Sequence, residues 1–366
     1  MKPSREKKLS ARTLARCGFT LVELMVSLTI GLLLLAGLVS VFASSSRAHA
    51  ELKKSSEHAE NGRMAIWELS RDVSLAGYYG EFYTLPAPAA VPPDPCVITP
   101  AALYAALAFP VQGYEAPAVS PLSCLSNGDF VAGTDILVVR RADTTALAPT
   151  DVPTDNEIYI QTTAGAAEIQ VGQAVSAIGT AKKADLTNSV LFRKDGTTAA
   201  PIRKFHVHIY FIAPCSVPSN GGDFCTGAGD DGGRPIPTLK RLELASVAGV
   251  TTLRAVPLVE GIENLQIDYG IDSSPATQNA STGQFGDGAP DSYTTLPGAA
   301  DWPNVVSMKV RVLARATQLT LGHSDVKTYD MGLAGTVGPF NNWFKRHLFS
   351  AAIRLVDVSG RREIPQ

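Results

Sequence analysis

Residues 18–43 read GFTLVELMVSLTIGLLLLAGLVSVFA, and this stretch decides the fold of the chain. After Gly18 the run is apolar and free of proline, and its only charged residue is Glu23. A helix over 19–43 rises ~37 Å, which exceeds the ~30 Å thickness of a bilayer hydrocarbon core. The run therefore predicts a transmembrane helix over 19–43.

The charge around this run is distributed as in an exported protein. Residues 1–18 carry a net charge of +5, and the chain totals −2, so the remaining residues carry −7. Basic flanks stay in the cytoplasm while the body crosses the membrane. The apolar run is also longer than the ~7–15 residues of a signal-peptide core. We expect the span to be retained; an ordinary single-pass anchor is the alternative interpretation.

A lipoprotein is a competing export class, because Leu14-Ala15-Arg16-Cys17 faintly resembles a lipobox. Arg16 is a poor residue before the cysteine, and the apolar stretch follows Cys17 instead of preceding it. These two features argue against lipidation, and Cys17 is expected to leave with the leader.

The motif GFTLVE at 18–23, between a basic leader and an apolar run, resembles the signal of type IV prepilins and type II secretion pseudopilins. The resemblance implies a leader peptide over 1–18, removed after Gly18 by a prepilin peptidase that also methylates the new N-terminal residue, Phe19. It further implies that Glu23 docks one subunit on the next.

Charge explains why such a motif would work. A lone carboxylate is costly in an apolar segment, roughly 2.5–3.5 kcal/mol at the helix centre and less near the interface. Cleavage after Gly18 would create an ammonium group on Phe19, and the Phe19 ammonium of a neighbouring subunit could pair with Glu23. The alternative is a Glu23 that reaches the headgroups alone.

Beyond residue 43 the pattern becomes amphipathic. Apolar residues recur at helical spacing along one face, while charged residues fill the other. The pattern predicts that 44–77 continues the first helix, with Gly77 as a stop and Asn61-Gly62 as a kink. The whole helix over 19–76 would be ~87 Å long. The apolar positions are Ala48, Leu52, Ala59, Ile66, Leu69, Val73 and Ala76.

Residues 78–366 are predicted to form a β-rich globular head. Apolar and polar residues alternate over 205–211 and 306–313, which is typical of strands with one face on the core. No comparable helix separates the strands, so the sheet should be mainly antiparallel and the fold class α+β. The other expected strands are 134–141, 157–161, 238–247 and 251–259.

Three segments of the head are expected to be connections. Nine of the 24 prolines lie between Pro86 and Pro121, so 84–124 is expected to be a Pro/Ala-rich lobe packed on the head, with a short helix at 101–108. Residues 216–237 and 272–304 are rich in Gly, Ser, Pro and Asp and are expected to be loops.

Several internal segments resemble PilW-type minor pilins. The first is 63–78, which ends in RDVSLAGY; the later ones are 133–141, 258–270 and 346–350. The resemblance implies a minor pilin that initiates type IV pilus assembly in a tip or priming complex, with roles in twitching motility and adhesion. Its partners would be other minor pilins, the major pilin, the inner-membrane assembly platform and a tip adhesin.

The same resemblance implies a single pass through the inner membrane with a periplasmic head, and a place in the pilus, at its tip, after assembly. A minor pseudopilin of type II secretion shares the N-terminal motif and is the alternative. A third class is a membrane-anchored binding protein that never polymerises.

Four cysteines remain after the leader: Cys96, Cys124, Cys215 and Cys225. An even number in an exported head predicts two disulfides. Of the three possible pairings, Cys96–Cys124 and Cys215–Cys225 are favoured because each pair brackets a loop. A zinc site is the rival interpretation, but the spacings contain no C-x2-C.

Candidate metal ligands are weak. Asp272, Asp287 and Asp291 have the oxygen-ligand composition of a calcium loop without its D-x-[DN]-x-[DN]-G spacing, and a solvated turn is the alternative. His206 and His208 lie two apart on one strand face, which suits metal ligation but is more typical of a solvent-facing strand.

Composition and motifs narrow the function class. The net charge of −2 gives no basic field for nucleic acid. The sequence contains no G-x-S-x-G, P-loop or H-E-x-x-H motif. We therefore expect a structural filament subunit that is not an enzyme and needs no cofactor.

Overall fold

The computed structural model describes residues 18–147, 154–172, 191–274 and 286–363. The predicted leader, apart from Gly18, lies outside the described residues. The chain divides after Lys53 into two units, which are described separately: the N-terminal part of the first helix, and the rest of that helix with the head.

Helix α1 spans Leu21–Ser74. Its apolar side chains between Leu21 and Phe42 are exposed in the single chain. By length and composition, α1 is able to cross a membrane. In a single soluble chain such a surface would be unstable, so this part of α1 requires lipid or other helices around it.

The second half of α1 belongs to the head. Its buried positions include His58, Gly62, Ala65 and Leu69, which recur at intervals of three or four and therefore share one face. Just beyond the last turn, Gly77 has a φ of +78°, and its N–H donates to the carbonyl of Arg140 at 2.9 Å. The left-handed conformation that ends the helix favours glycine, as the sequence predicted.

The head contains a larger and a smaller antiparallel sheet in addition to short helices. In chain order the strands are β1 Val111–Tyr114, β2 Ile136–Ala142, β3 Ile158–Thr162, β4 Ala167–Val171, β5 Ile202–Ala213, β6 Thr238–Val247, β7 Val250–Glu260, β8 Ile262–Ile271, β9 Ser292–Thr294, β10 Val305–Arg315, β11 Tyr329–Asp330, β12 Thr336–Val337 and β13 Arg346–Arg354. The helices after α1 are α2 Pro100–Ala105, α3 Asp230–Gly233 and α4 Val356–Glu363.

The larger sheet has seven strands in the order β1-β2-β5-β3-β4, with β6 paired to β5 and β7 paired to β6. The smaller sheet has four strands in the order β13-β10-β8-β9, and β11 pairs with β12 as a separate ribbon. The strand pairs within the described residues are antiparallel, which confirms the predicted α+β class with a mainly antiparallel head.

Two hydrophobic cores lie on opposite faces of the larger sheet. The first joins Leu69 of α1 and Val139 of β2 to Val310 of the smaller sheet. The second joins Val138 of β2 to Leu107 of the Pro/Ala-rich lobe. Both faces of β2 and β5 are thus covered. The expectation that the strand over 205–211 has only one face on the core was therefore wrong.

Two local expectations also need correction. The lobe over 84–124 is more than a connection, because its residues 111–114 form β1 of the larger sheet. Such a short strand after Pro110 gives too little alternation to be recognised. The expected kink at Asn61-Gly62 is absent from α1, which continues through both residues.

Close packing explains Gly62. A Cβ atom at this position would lie 2.1 Å from the Phe349 ring of β13, so only glycine lets that ring approach the helix. Phe349 and Ile66 are both partly buried and pack against the first core.

Replacing Gly62 with valine should lower the free energy of unfolding by about 2 kcal/mol, because overpacking forces the Phe349 ring or the helix to move. Thermal unfolding of the detergent-solubilised protein measures the loss. The loss caused by Gly62→Val should be smaller when Phe349 has been replaced with alanine than in the wild-type protein. Equal losses with and without the Phe349 ring would contradict this account.

Candidate functional site

The predicted processing and docking residues lie at the start of α1. The Thr20 backbone N–H and hydroxyl each donate to Glu23 Oε2 at 3.0 Å, and the Glu23 N–H donates to Thr20 Oγ1 at 3.3 Å. This reciprocal pattern is a capping box, which satisfies the otherwise unpaired N–H groups of a helix start. The sequence TLVE therefore specifies where the helix begins, shortly after the predicted cleavage site at Gly18.

The capping box leaves the charge of Glu23 uncompensated. Both Thr20 donors are neutral, and within the described part of 18–53 no cation forms an ion pair with Glu23. Phe19 precedes the cap with its side chain 87% exposed. This end of α1 therefore presents a carboxylate that is hydrogen-bonded but still able to pair with a cation from outside the chain.

The head contains a buried charged cluster that the sequence alone did not reveal. Asp72, near the end of α1, accepts a hydrogen bond from Arg141 Nε of β2 at 2.6 Å. Its other oxygen lies 2.7 Å from His208 Nδ1 of β5 and accepts from the Tyr210 hydroxyl at 2.8 Å. Here these four residues are called the Asp72 cluster; it joins α1 to two central strands.

The electrostatics of the Asp72 cluster favour the ionised carboxylate. Burial alone would raise the pKa of Asp72, but the charges of and hydrogen bonds to His208 and Arg141 outweigh it and hold the pKa well below its usual range. Burial, with Asp72 adjacent, raises the pKa of Tyr210 well above its ordinary value. Tyr210 therefore stays a neutral donor at physiological pH.

His206 occupies the next position on the same strand face, in a cleft and not on the solvent face expected from alternation. Its Nε2 lies 3.4 Å from Asp143 Oδ2. Burial, together with the charges of His208 and Arg141, lowers the pKa of His206 to about 3. The imidazole is therefore neutral at physiological pH.

The cleft has a volume of about 290 Å³ and is lined mainly by charged side chains from α1 and the larger sheet. Within the described ranges, the ligand atoms of His206 and His208 do not form part of a group of three suited to a metal ion. Their observed partners are the carboxylates of Asp143 and Asp72.

The four head cysteines form the two disulfides that the sequence favoured. Cys96 is bonded to Cys124 with 5.5 Å between the Cα atoms, and Cys215 to Cys225 with 5.8 Å. Cys215, Cys225 and Asp230 lie close together. Since the two sulfurs are bonded to each other, they are not available as thiolate ligands for zinc.

The three calcium candidates lie in one region of the head, but their carboxylate oxygens do not surround a common point. Asp272 is buried and ion-paired to Arg362 Nε at 2.7 Å, whereas Asp291 accepts from the Ser273 hydroxyl at 2.7 Å. Asp287 accepts from the N–H of Ala289 at 2.9 Å. In the described portion of the chain, these carboxylates are bound by protein donors and do not form a metal-binding group.

Comparison with known protein families agrees with this arrangement of an N-terminal helix and a β-rich head. Residues 14–39 match the prokaryotic N-terminal methylation motif, and residues 224–357 match the type IV pilus-assembly protein W family, PilW. No curated protein and no solved structure matches the chain.

The motif and the helix that follows it form a pilin-like arrangement. The second match, over 224–357, shows that the head contains a PilW-like segment, which confirms the resemblance found in the sequence. The PilW match begins within the Cys215–Cys225 loop and includes the whole four-stranded sheet.

Asp72→Asn should lower the free energy of unfolding by roughly 3 kcal/mol, because it leaves Arg141 without its buried counter-charge. Asp287→Asn is the matched control: this aspartate is exposed and should change stability by less than about 0.5 kcal/mol. Urea unfolding of the full chain in detergent at neutral pH compares the two. Similar losses in both variants would show that the Asp72 cluster does not stabilise the head.

The low pKa of His206 predicts a pH dependence. Unfolding frees the imidazole to bind a proton below its ordinary pKa of about 6.5. Since the unfolded state then holds more protons than the folded state, stability falls as the pH decreases from about 6.5 towards 3. His206→Gln removes this contribution.

Between pH 7.5 and pH 5, the wild-type protein should therefore lose about 1–2 kcal/mol more stability than His206→Gln. Denaturant unfolding at both values measures the difference. Asp72 is present in both proteins, so its own titration cancels. Parallel losses in the two proteins would mean that His206 does not bind a proton on unfolding.

Proposed function

We propose that this protein is a minor pilin that helps to initiate a type IV pilus in a tip or priming complex with other minor pilins. The observation that carries the proposal is the joining of a methylation motif and an exposed apolar helix to a PilW-like head. Its role is structural. Pilus assembly, and through it twitching motility and adhesion, would depend on the presence of the protein.

Processing is expected between Gly18 and Phe19, followed by N-methylation of Phe19 by the prepilin peptidase and methyltransferase. Cleavage removes the +5 leader and leaves an ammonium group two residues before the helix. The Glu23 carboxylate of one subunit would then pair with the Phe19 ammonium of the next. This pair would fix the axial stagger of the helices, and methylation keeps the positive charge.

Before assembly, the mature chain would span the inner membrane once through 19–43, with its head in the periplasm. Two disulfides in the head support an oxidising compartment. The assembly platform in the inner membrane would extract the helix from lipid. Its apolar surface would then pack against the helices of the major pilin and other minor pilins.

The size of the head supports a position at the tip. Beyond α1 the chain continues for almost 300 residues, with a Pro-rich lobe and long loops. Neighbouring subunits in a helical filament lie close together because their helices pack at about 8–10 Å. At a tip no subunit lies above, so a large head is tolerated there and its loops are free to contact a tip adhesin.

Changes at Glu23 separate its two roles. Glu23→Gln retains an acceptor for the Thr20 cap but removes the charge, whereas Glu23→Ala removes both. If the carboxylate pairs with a neighbouring ammonium, both variants should reduce pili about tenfold or more, consistent with losing an ion pair in an apolar setting.

Pilus counts by electron microscopy and immunoblots of the membrane fraction provide the measurement. Both variants must remain in the membrane at wild-type levels for the comparison to count. Normal pili in Glu23→Gln would restrict Glu23 to helix capping and contradict the docking role.

A tip subunit should be rare. Quantitative blotting of sheared filaments should find this protein at a few per cent of the major pilin or less, and deletion should reduce pilus number much more than pilus diameter. Near-equal stoichiometry with the major pilin would rule out a tip position.

A minor pseudopilin of type II secretion is the second candidate, because the methylation motif is common to both systems. The PilW match favours the pilus. A deletion strain distinguishes them: loss of pili with normal protein secretion supports the pilus, and the reverse supports secretion.

A further inference from the structure

Strand β13, Arg346–Arg354, forms one edge of the four-stranded sheet. It pairs with β10 from Arg315↔Arg346 to Ser307↔Arg354 without a register shift. On its other side it pairs with no strand of the described residues. The edge is therefore long and regular on one side and open on the other.

The ladder shows which backbone groups point outward. Just beyond its two ends, Leu355 N–H donates to Val306 and Ala316 N–H donates to Lys345, both at 2.9 Å. In an antiparallel pair the hydrogen-bonded positions alternate. The odd-numbered residues of β13 therefore bond to β10, and the even-numbered residues direct their N–H and C=O groups away from it.

Three consecutive outward positions are available: Leu348, Ser350 and Ala352. Ser350 and Ala352 are exposed and Leu348 is half-buried. Within the described chain, the outward N–H and C=O groups of these three residues have no protein partner. The Arg346 carbonyl, in contrast, lies 3.5 Å from the Tyr329 hydroxyl, so the open edge begins at Leu348.

This edge lacks the features that usually prevent strand addition. Soluble proteins protect edges with charges, proline, bulges or very short strands. Residues 347–353, HLFSAAI, contain no Asp, Glu, Lys, Arg or Pro. The other edge strands of the two sheets carry such features. β9 has three residues and β1 has four, β4 contains Glu168, and β7 contains Arg254 and Pro257 and pairs with β6 through a register shift.

A cavity of about 400 Å³ lies beside the open edge. Its wall is mainly apolar and includes Ala352 and Ile353 of β13, Val306 of β10 and, from a neighbouring loop, Ala289 and Pro290. Asp287 and the ion-paired Arg354 and Glu363 also line it. In strand addition, backbone hydrogen bonds supply affinity and pockets for side chains supply specificity. This cavity is suited to an apolar side chain of an added strand.

We propose that the open edge of β13 binds an extended strand of a different subunit of the pilus complex, which continues the four-stranded sheet. The identity of the partner as a pilus subunit rests on the proposed function. The bound strand would form backbone hydrogen bonds with Leu348, Ser350 and Ala352 and place an apolar side chain in the cavity.

Charge indicates what kind of strand binds. Arg346, at one end of the edge, is buried and ion-paired with Glu263 and Asp325. Arg354, at the other end, is ion-paired with Glu363. The charges at both ends are therefore compensated within the chain, so an uncharged strand is complementary. A second copy of β13 fits less well. The tip position proposed above holds this subunit in low copy number, so a second copy is not expected beside it.

The direct test is amide hydrogen exchange in the full chain, alone and in a detergent-extracted complex with co-expressed minor pilins. Strand addition should slow exchange at Leu348, Ser350 and Ala352 by about tenfold or more, since each amide changes from water to a protein acceptor. Phe349, Ala351 and Ile353 already bond to β10 and should change little. Unchanged exchange at the three outward amides in the complex would overturn the proposal.

A matched pair of variants tests the consequence in cells. Ser350→Pro removes an outward N–H without breaking the ladder to β10, and Ser350→Ala keeps that N–H. The number of pili should fall about tenfold in Ser350→Pro, because one hydrogen bond is lost and the proline ring obstructs the edge. It should stay normal in Ser350→Ala. Equal unfolding temperatures of the two variants establish that the head is intact.

The outcomes separate the two proposals. Normal pili with Ser350→Pro, together with loss of pili in Glu23→Gln, would overturn strand addition and leave the minor-pilin role. Normal pili in both variants would overturn both. A photo-crosslink from position 350 to a second copy of this chain would overturn the heterologous partner in favour of self-pairing.

Discussion

Helix α1 is one continuous helix whose two halves need different surroundings, and the rest of the structure depends on this constraint. Its first half exposes apolar side chains that water does not tolerate, and its second half carries an apolar stripe that completes the core of the head. A subunit built this way is stable only when lipid or other helices surround the first half. The need for partners is therefore inherent in the helix.

The head holds its part of α1 in two complementary ways. Packing at Gly62 allows the Phe349 ring of the smaller sheet to lie against the helix backbone. The Asp72 cluster then joins the end of the helix to the larger sheet through a buried carboxylate. Apolar contact supplies most of the burial, while the directional hydrogen bonds of the cluster favour one rotational position of the helix over others.

The sequence predicted the parts of the fold that follow from local pattern. The helix, the long strands and the disulfide pairing rest on periodicity and on loop spacing, and β6 was predicted with the limits that the structure has. The capping box at the start of α1 was not predicted, although Thr20 and Glu23 in GFTLVE have its spacing.

Long-range contacts account for what the sequence did not show. Asp72, Arg141 and His208 are far apart in the chain, and nothing local indicates that their side chains meet. Gly62 suggested a kink because its partner Phe349 was not known. A useful signal was nevertheless present: Asp72 follows Leu69 at the helical spacing of buried residues, so a charge there requires a buried partner.

Mass spectrometry of the N-terminal peptide from the membrane-extracted protein tests the central claim most directly. If the chain is a processed pilin subunit, the peptide should begin at Phe19 and carry one additional methyl group on its α-amine. A mature chain that retains Met1, or begins at any residue other than Phe19, would contradict the account.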